Sequence, residues 1–118
     1  MLRGLGLAVL LALALAACTP GPQSQAPEAA RAESAAKGLT IAEKWCADCH
    51  RVKGEQRGVA RPDMRAPEFA AIAARPEVNS GYLTRFMEVQ HLPMSTFRLY
   101  SDEKADVVAY ILSLKAGR

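Results

Sequence analysis

The chain has 118 residues, with 15 Lys and Arg against 12 Asp and Glu, for a formal charge of +3. So slight an excess lacks the basic footprint with which nucleic-acid-binding proteins neutralise phosphates, and it leaves electrostatic steering to local patches. Three cysteines, an odd number, have to be accounted for individually.

The chain opens with a short basic head, Met1-Leu2-Arg3-Gly4, followed from Leu5 to Ala17 by an uninterrupted run of Leu, Ala, Val and Gly. The run is too short to span a bilayer comfortably and fits the apolar core of an export signal. It ends Leu15-Ala16-Ala17-Cys18, which resembles the lipobox of bacterial lipoproteins. The resemblance implies cleavage after residue 17, leaving Cys18 as the first residue of the mature chain, with lipid on its sulfur and its amine. Acylated in that way, Cys18 exceeds the two signals that stable membrane anchoring needs. Cleavage removes only one charged residue, Arg3, so the mature chain stays nearly neutral.

Thr19 to Ala36 carries Pro20, Pro22 and Pro27 among Gln, Ser and Ala, with no large apolar side chain. Such a stretch buries too little to offset its ordering entropy and reads as a tether, roughly 60 Å long at full extension and nearer 25 Å on average. Ala29 to Lys37 nevertheless has good helix formers and can extend the first element of the domain that follows. The expected organisation is a signal peptide at 1–17, the lipidated cysteine and tether at 18–37, and one folded domain at 38–118.

In that domain Leu39 to Cys46 reads as a short helix, with Gly38 and Ala42 four residues apart as a small-residue face that another helix can approach closely. The helix delivers Cys46-Ala47-Asp48-Cys49-His50. Two thiols three residues apart, followed at once by an imidazole, match the attachment signature of c-type haem, in which both thiols add to vinyl groups. Two thioether bonds at Cys46 and Cys49 fix the ring on the chain and bring His50 beneath the iron as its proximal ligand. A structural zinc site wants four ligands, and of the two thiols and two imidazoles at hand His50 follows Cys49 too closely for good tetrahedral geometry, while a thioredoxin-like dithiol wants a preceding strand that the sequence lacks. A domain near 80 residues seldom has a self-sufficient core, and covalent haem supplies the missing part.

Arg51 to Ala66, rich in Gly, Arg and Lys, reads as an ordered loop. Pro67 opens a helix with Phe69, Ile72 and Ala73 on one side, closed at Pro76. Asn79 or Ser80 caps the next helix, with Tyr82, Leu83, Phe86 and Met87 as its apolar face. Ser101 is the N-cap of the last, Asp102 and Glu103 lie in its first turn, Val108, Ala109, Ile111, Leu112 and Leu114, with Tyr110, recur at helical period, and Gly117 is available as its stop. No stretch alternates as a strand does. The fold class is all-α.

In this order the landmarks resemble a class I cytochrome c of the short, bacterial, monohaem kind: Gly38 eight residues before Cys46, the Cys46-Cys49-His50 motif, Pro93-Met94 in a loop before the last helix, and Ala109-Tyr110 within it. The resemblance runs from Gly38 to about Lys115 and implies contact between the first and last helices at Gly38 and Ala42 against Val107 and Tyr110. Ala42 stands where the family often has an aromatic, for which Trp45 is a candidate substitute.

Met64, Met87, His91 and Met94 are all candidate sixth ligands by residue type. Met87 fits a helix core, Met64 lies close to the attachment motif, and a loop histidine at 91 would lower the potential. The resemblance implies Met94, sixteen residues before Tyr110; methionine opposite histidine favours reduced iron, as an electron carrier requires. A carbonyl should hold the free nitrogen of His50, with Pro67 at the family's position and Pro62 as the alternative. Arg51, Lys53, Arg57, Arg61 and Arg65 form a candidate rim for an acidic redox partner.

These features lead to the expectation of a non-enzymatic, monomeric single-electron carrier with one haem c. It would be lipid-anchored on the periplasmic side of a bacterial envelope, with Thr19 after Cys18 favouring the outer membrane, and would exchange electrons with a membrane dehydrogenase or oxidase or with other cytochromes. The rival reading is a haem subunit of a redox enzyme, or a gas- or peroxide-reactive protein, with an open sixth position.

Overall fold

A computed structural model of the chain describes residues 27–89, 94 and 99–116. The export signal, Cys18, His91, Pro93 and Gly117 lie outside the described residues. Four α-helices form, α1 (Glu28–Trp45), α2 (Phe69–Ala73), α3 (Ser80–Glu88) and α4 (Ser101–Ala116), with a 3₁₀ turn at Pro62–Met64 and no strand among the described residues. The all-α expectation holds.

α1 begins ten residues before Gly38, inside the stretch expected to act as tether. Its first half is rich in alanine, a strong helix former, and carries the ion pairs Arg31–Glu28 at 3.0 Å and Lys37–Glu33 at 2.7 Å. Glu28 in its first turn and Lys44 in its last complement the helix dipole. The helix buries only Gly38 and Ala42, a face narrow enough for close packing on α4. A Cβ on Gly38 would stand 2.9 Å from the Cβ of Tyr110 and closer still to the main-chain carbonyl of Asp106, so only glycine permits this crossing. The Ser34 hydroxyl donates to the Asp106 carboxylate a turn further out. Ala42 is wholly buried, and Trp45, 40% exposed with the Lys44 ammonium over its ring, does not take the place of an aromatic there.

α4 is the hub, since α1, α2 and α3 each pack on it. Val107, Val108, Tyr110 and Ile111 bury its inner side against Phe69 and Ala73 of α2, Leu83 of α3 and Val78 in the turn before α3. Its cap lies one residue earlier than expected. The Lys104 amide bonds to the Tyr100 carbonyl at 2.9 Å and the Glu103 carboxylate accepts from the Tyr100 amide at 2.8 Å, so Tyr100 holds the cap position and Ser101 is the first helical residue. At the other end Lys115 donates to the Val78 carbonyl at 2.9 Å.

α3 is capped by the Asn79 side chain, which accepts from the Tyr82 amide at 2.9 Å. Of its expected apolar face, Leu83 is buried and Tyr82 and Met87 are partly so, while Phe86 remains 45% exposed and stacks on Tyr82. α2 starts at Phe69, two residues later than Pro67, because the Pro67 carbonyl is engaged elsewhere. Gly38→Ala should destabilise the fold by about 1–3 kcal/mol, overpacking outweighing a helix-propensity gain of about 1 kcal/mol; chemical denaturation would measure it.

Candidate functional site

α1 ends directly in the attachment motif. The chain leaves the helix in a tight turn, in which the His50 amide bonds to the Cys46 carbonyl at 2.8 Å and the Cys49 amide to the same oxygen at 3.1 Å. Cys46 is buried and Cys49 half-buried, with no disulfide between them. Burial, reinforced by the neighbouring Cys49, pushes the Cys46 thiol up to about 11, so at neutral pH it is protonated. A thioether at this position has no proton to lose and suits an apolar setting better than a thiolate would.

His50 is buried. Its Nδ1 lies 2.7 Å from the Pro67 carbonyl oxygen. A carbonyl only accepts, so Nδ1 is the donor, and in the neutral ring this is the tautomer whose Nε2 lone pair a metal-ligating imidazole uses. The Phe69 ring flanks the imidazole with centroids 5.2 Å apart, and Tyr110 lies beyond it at 6.3 Å from Phe69. Two hydrogen bonds hold the chain after His50 on both sides. The Phe69 amide donates to the Arg51 carbonyl at 3.0 Å, and the Tyr110 hydroxyl donates to the Val52 carbonyl at 2.7 Å.

The loop that follows is held by Gln56, which the sequence did not single out. Its Oε1 accepts from the Val52 amide at 2.9 Å and its Nε2 donates to the carbonyls of Ala47, His50 and Gly58 at 3.2, 3.1 and 2.9 Å. The Arg61 amide returns to the Asp48 carbonyl at 2.7 Å. Arg65, which ends the 3₁₀ turn, adopts the left-handed conformation at φ 47°.

The remaining sequence candidates separate. The Met64 sulfur accepts from the Arg61 guanidinium at 3.5 Å, Met87 packs against the core from α3, and Met94 is half-buried. Of the expected basic rim, Arg51 pairs with Glu68 at 3.4 Å and Lys53 with Glu43, while Arg57, Arg61 and Arg65 are exposed with no acidic partner among the described residues. Among those residues no group of three His, Cys, Asp or Glu side chains gathers as a metal site. Two thiols on one turn, with a buried imidazole whose Nδ1 is held by a carbonyl, fit a covalently attached haem.

Comparison with known proteins agrees with this geometry. The family described as Cytochrome c matches residues 35–115. The chain is also 41% identical over 86 residues to cytochrome c-552 of Bradyrhizobium diazoefficiens (strain JCM 10833 / BCRC 13528 / IAM 13628 / NBRC 14792 / USDA 110), covering 73% of this chain and 80% of that protein. No solved structure matches.

Tyr110→Phe should lose about 1–3 kcal/mol by leaving the Val52 carbonyl unpaired. Burial first, then the nearby Glu55 and Glu43 carboxylates, raise the Tyr110 phenol above its ordinary range, against a smaller opposing effect of Lys53. A raised folded-state value means that this contribution is fully present below the unfolded phenol's pKa, about 10, and declines as pH rises through the folded value. The stability gap between wild type and Tyr110→Phe should therefore narrow above about pH 10, as denaturation at a series of pH values would show.

Proposed function

This chain belongs to the cytochrome c family, an electron carrier with one covalent haem c, and from that premise we propose that it is a lipid-anchored carrier of the bacterial envelope whose iron is held by His50 and Met94. The observation that carries the ligand assignment is the hydrogen bond from His50 Nδ1 to the Pro67 carbonyl, which leaves Nε2 as a donor beside the two attachment cysteines. Haem bound at this site supplies a one-electron ferric/ferrous couple.

The protein's own residues do the rest. Cys46 and Cys49 fix position, Phe69, backed by Tyr110, flanks the imidazole, and the Pro67 carbonyl orients its ring. Met94 is the sixth ligand on this reading, supported by the engagement of Met64 with Arg61 and of Met87 with the core. Exposed Arg57, Arg61 and Arg65 form a reduced basic rim for an acidic redox partner such as a membrane dehydrogenase, an oxidase or another cytochrome, its pull weakening as salt rises.

An anchor at Cys18 suits the architecture of α1. The helix is about 27 Å long at 1.5 Å per residue. It enters the domain at Glu28 and ends at the motif, so the attachment site stands a full helix length from where the tether arrives. This keeps the electron-exchanging end clear of a membrane surface. No helix of the described residues is long and apolar enough to cross a membrane.

In oxidised wild-type protein, the weak methionine-to-iron charge-transfer band at the red edge of the visible spectrum should be present and should be abolished by Met94→Ala, with only the variant binding carbon monoxide when reduced. Carbon monoxide uptake by the wild type would indicate an open iron and the enzyme-subunit or gas-reactive alternative. Cys18→Ser should move the protein from the membrane to the soluble fraction of expressing cells with its haem content unchanged.

A further inference from the structure

Between Trp45 and the 3₁₀ turn at Pro62 there is no regular secondary structure to pair the backbone that carries the attachment motif. Besides the turn bonds at Cys46 and those from Arg61, Phe69 and Tyr110, one half-buried side chain pairs several of its groups at once. The carboxamide of Gln56 has two N–H donors and one acceptor oxygen. All its contacts go to main-chain groups, at positions 47, 50, 52 and 58, on both sides of its own position. Two of those groups lie within the motif itself, and one is the carbonyl of His50. The neighbouring Val52 is also held from the opposite side, its carbonyl by the Tyr110 hydroxyl and its amide by Gln56, so both of its main-chain polar groups are engaged.

We propose that Gln56 is a positioning residue for the iron ligand: by bracing the Ala47, His50 and Gly58 carbonyls and the Val52 amide with one carboxamide, it fixes the backbone from which the imidazole projects, and so tunes the reduction potential. The inference rests on His50 as proximal ligand. Pro67 orients the ring from its far side, but a ring held only there can still swing with its own backbone. Gln56 removes that motion. Without it the Ala47 and His50 carbonyls turn to water for partners, and water beside His50 favours the oxidised iron with its greater positive charge.

The test uses the intact haem protein. Gln56→Met keeps the length of the side chain and removes its polar atoms, while Gln56→Asn keeps the carboxamide one methylene short of spanning its four partners. Asn79→Ala serves as a control that loses the cap of α3 without touching residues 46–58. At a fixed ambient potential the ratio of reduced to oxidised protein should fall at least threefold in Gln56→Met and less far in Gln56→Asn, and should stay at the wild-type value in Asn79→Ala. Hydrogen exchange of the Val52 amide in the reduced protein should accelerate at least tenfold in Gln56→Met. Should that variant fail to accumulate, the same two readings on Gln56→Asn decide. A wild-type ratio in the Gln56 variants, or an equal fall in Asn79→Ala, would overturn the positioning role. Val52 exchange is read at the backbone and does not depend on which groups bind the iron, whereas a wild-type iron lacking a nitrogen ligand would fault the ligation alone.

Discussion

The imidazole of His50 has one orientation because its Nδ1 proton is given to the Pro67 carbonyl, and much of the described structure serves to keep those two groups 2.7 Å apart. They are 17 residues apart in sequence and belong to different parts of the fold, one at the end of α1 and one at the entry to α2. A hydrogen bond of this kind contributes on the order of 1 kcal/mol to stability. Its larger effect is chemical, since it decides which ring nitrogen carries the proton and which is free to bind a metal. The constraint also explains the late start of α2: with its carbonyl turned to His50, Pro67 cannot be the first residue of that helix.

Keeping α1 and α2 in register falls to α4, on which both pack. The crossing of α1 and α4 is close because Gly38 has no side chain, and that closeness places Tyr110 where its hydroxyl meets the Val52 carbonyl and its ring meets Phe69. One small residue thereby fixes the distance between the helix that delivers the motif and the helix that braces the loop beyond it. The same logic limits α1 to a narrow buried face, leaving residues 28–33, under two turns, exposed beyond the packed core as a helical arm.

Much of this was legible in the sequence, for identifiable reasons. The attachment motif is a fixed spacing of reactive groups, and helical period together with Asn79, Pro76 and the acidic first turn of α4 marked the elements. The Gly38 and Ala42 pair signalled a close crossing, and the family resemblance offered the Pro67 carbonyl, with Pro62 as the alternative that the structure does not use. Helix edges were less legible because capping depends on which side chain wins a particular amide: Glu103 reaches back to Tyr100 and displaces Ser101 from the cap. The length of α1 was underread, since prolines and small residues before it resemble a tether until the alanine-rich run and its ion pairs are placed on a helix. Gln56 could not be found by pattern at all, because a lone glutamine in a polar loop carries no signal until the backbone folds around it. The basic rim shrank on folding, as Arg51 and Lys53 found Glu68 and Glu43, partners near in space but remote from any local charge pattern.

The most direct measurement is the nuclear magnetic resonance spectrum of the reduced haem protein with its histidine rings labelled with nitrogen-15. The account predicts that Nδ1 of His50 bears a proton in slow exchange with solvent, hydrogen-bonded to the Pro67 carbonyl, and that Nε2 is bound to iron. An Nδ1 proton exchanging as freely as that of a solvated histidine, or Nδ1 itself bound to the metal, would contradict it.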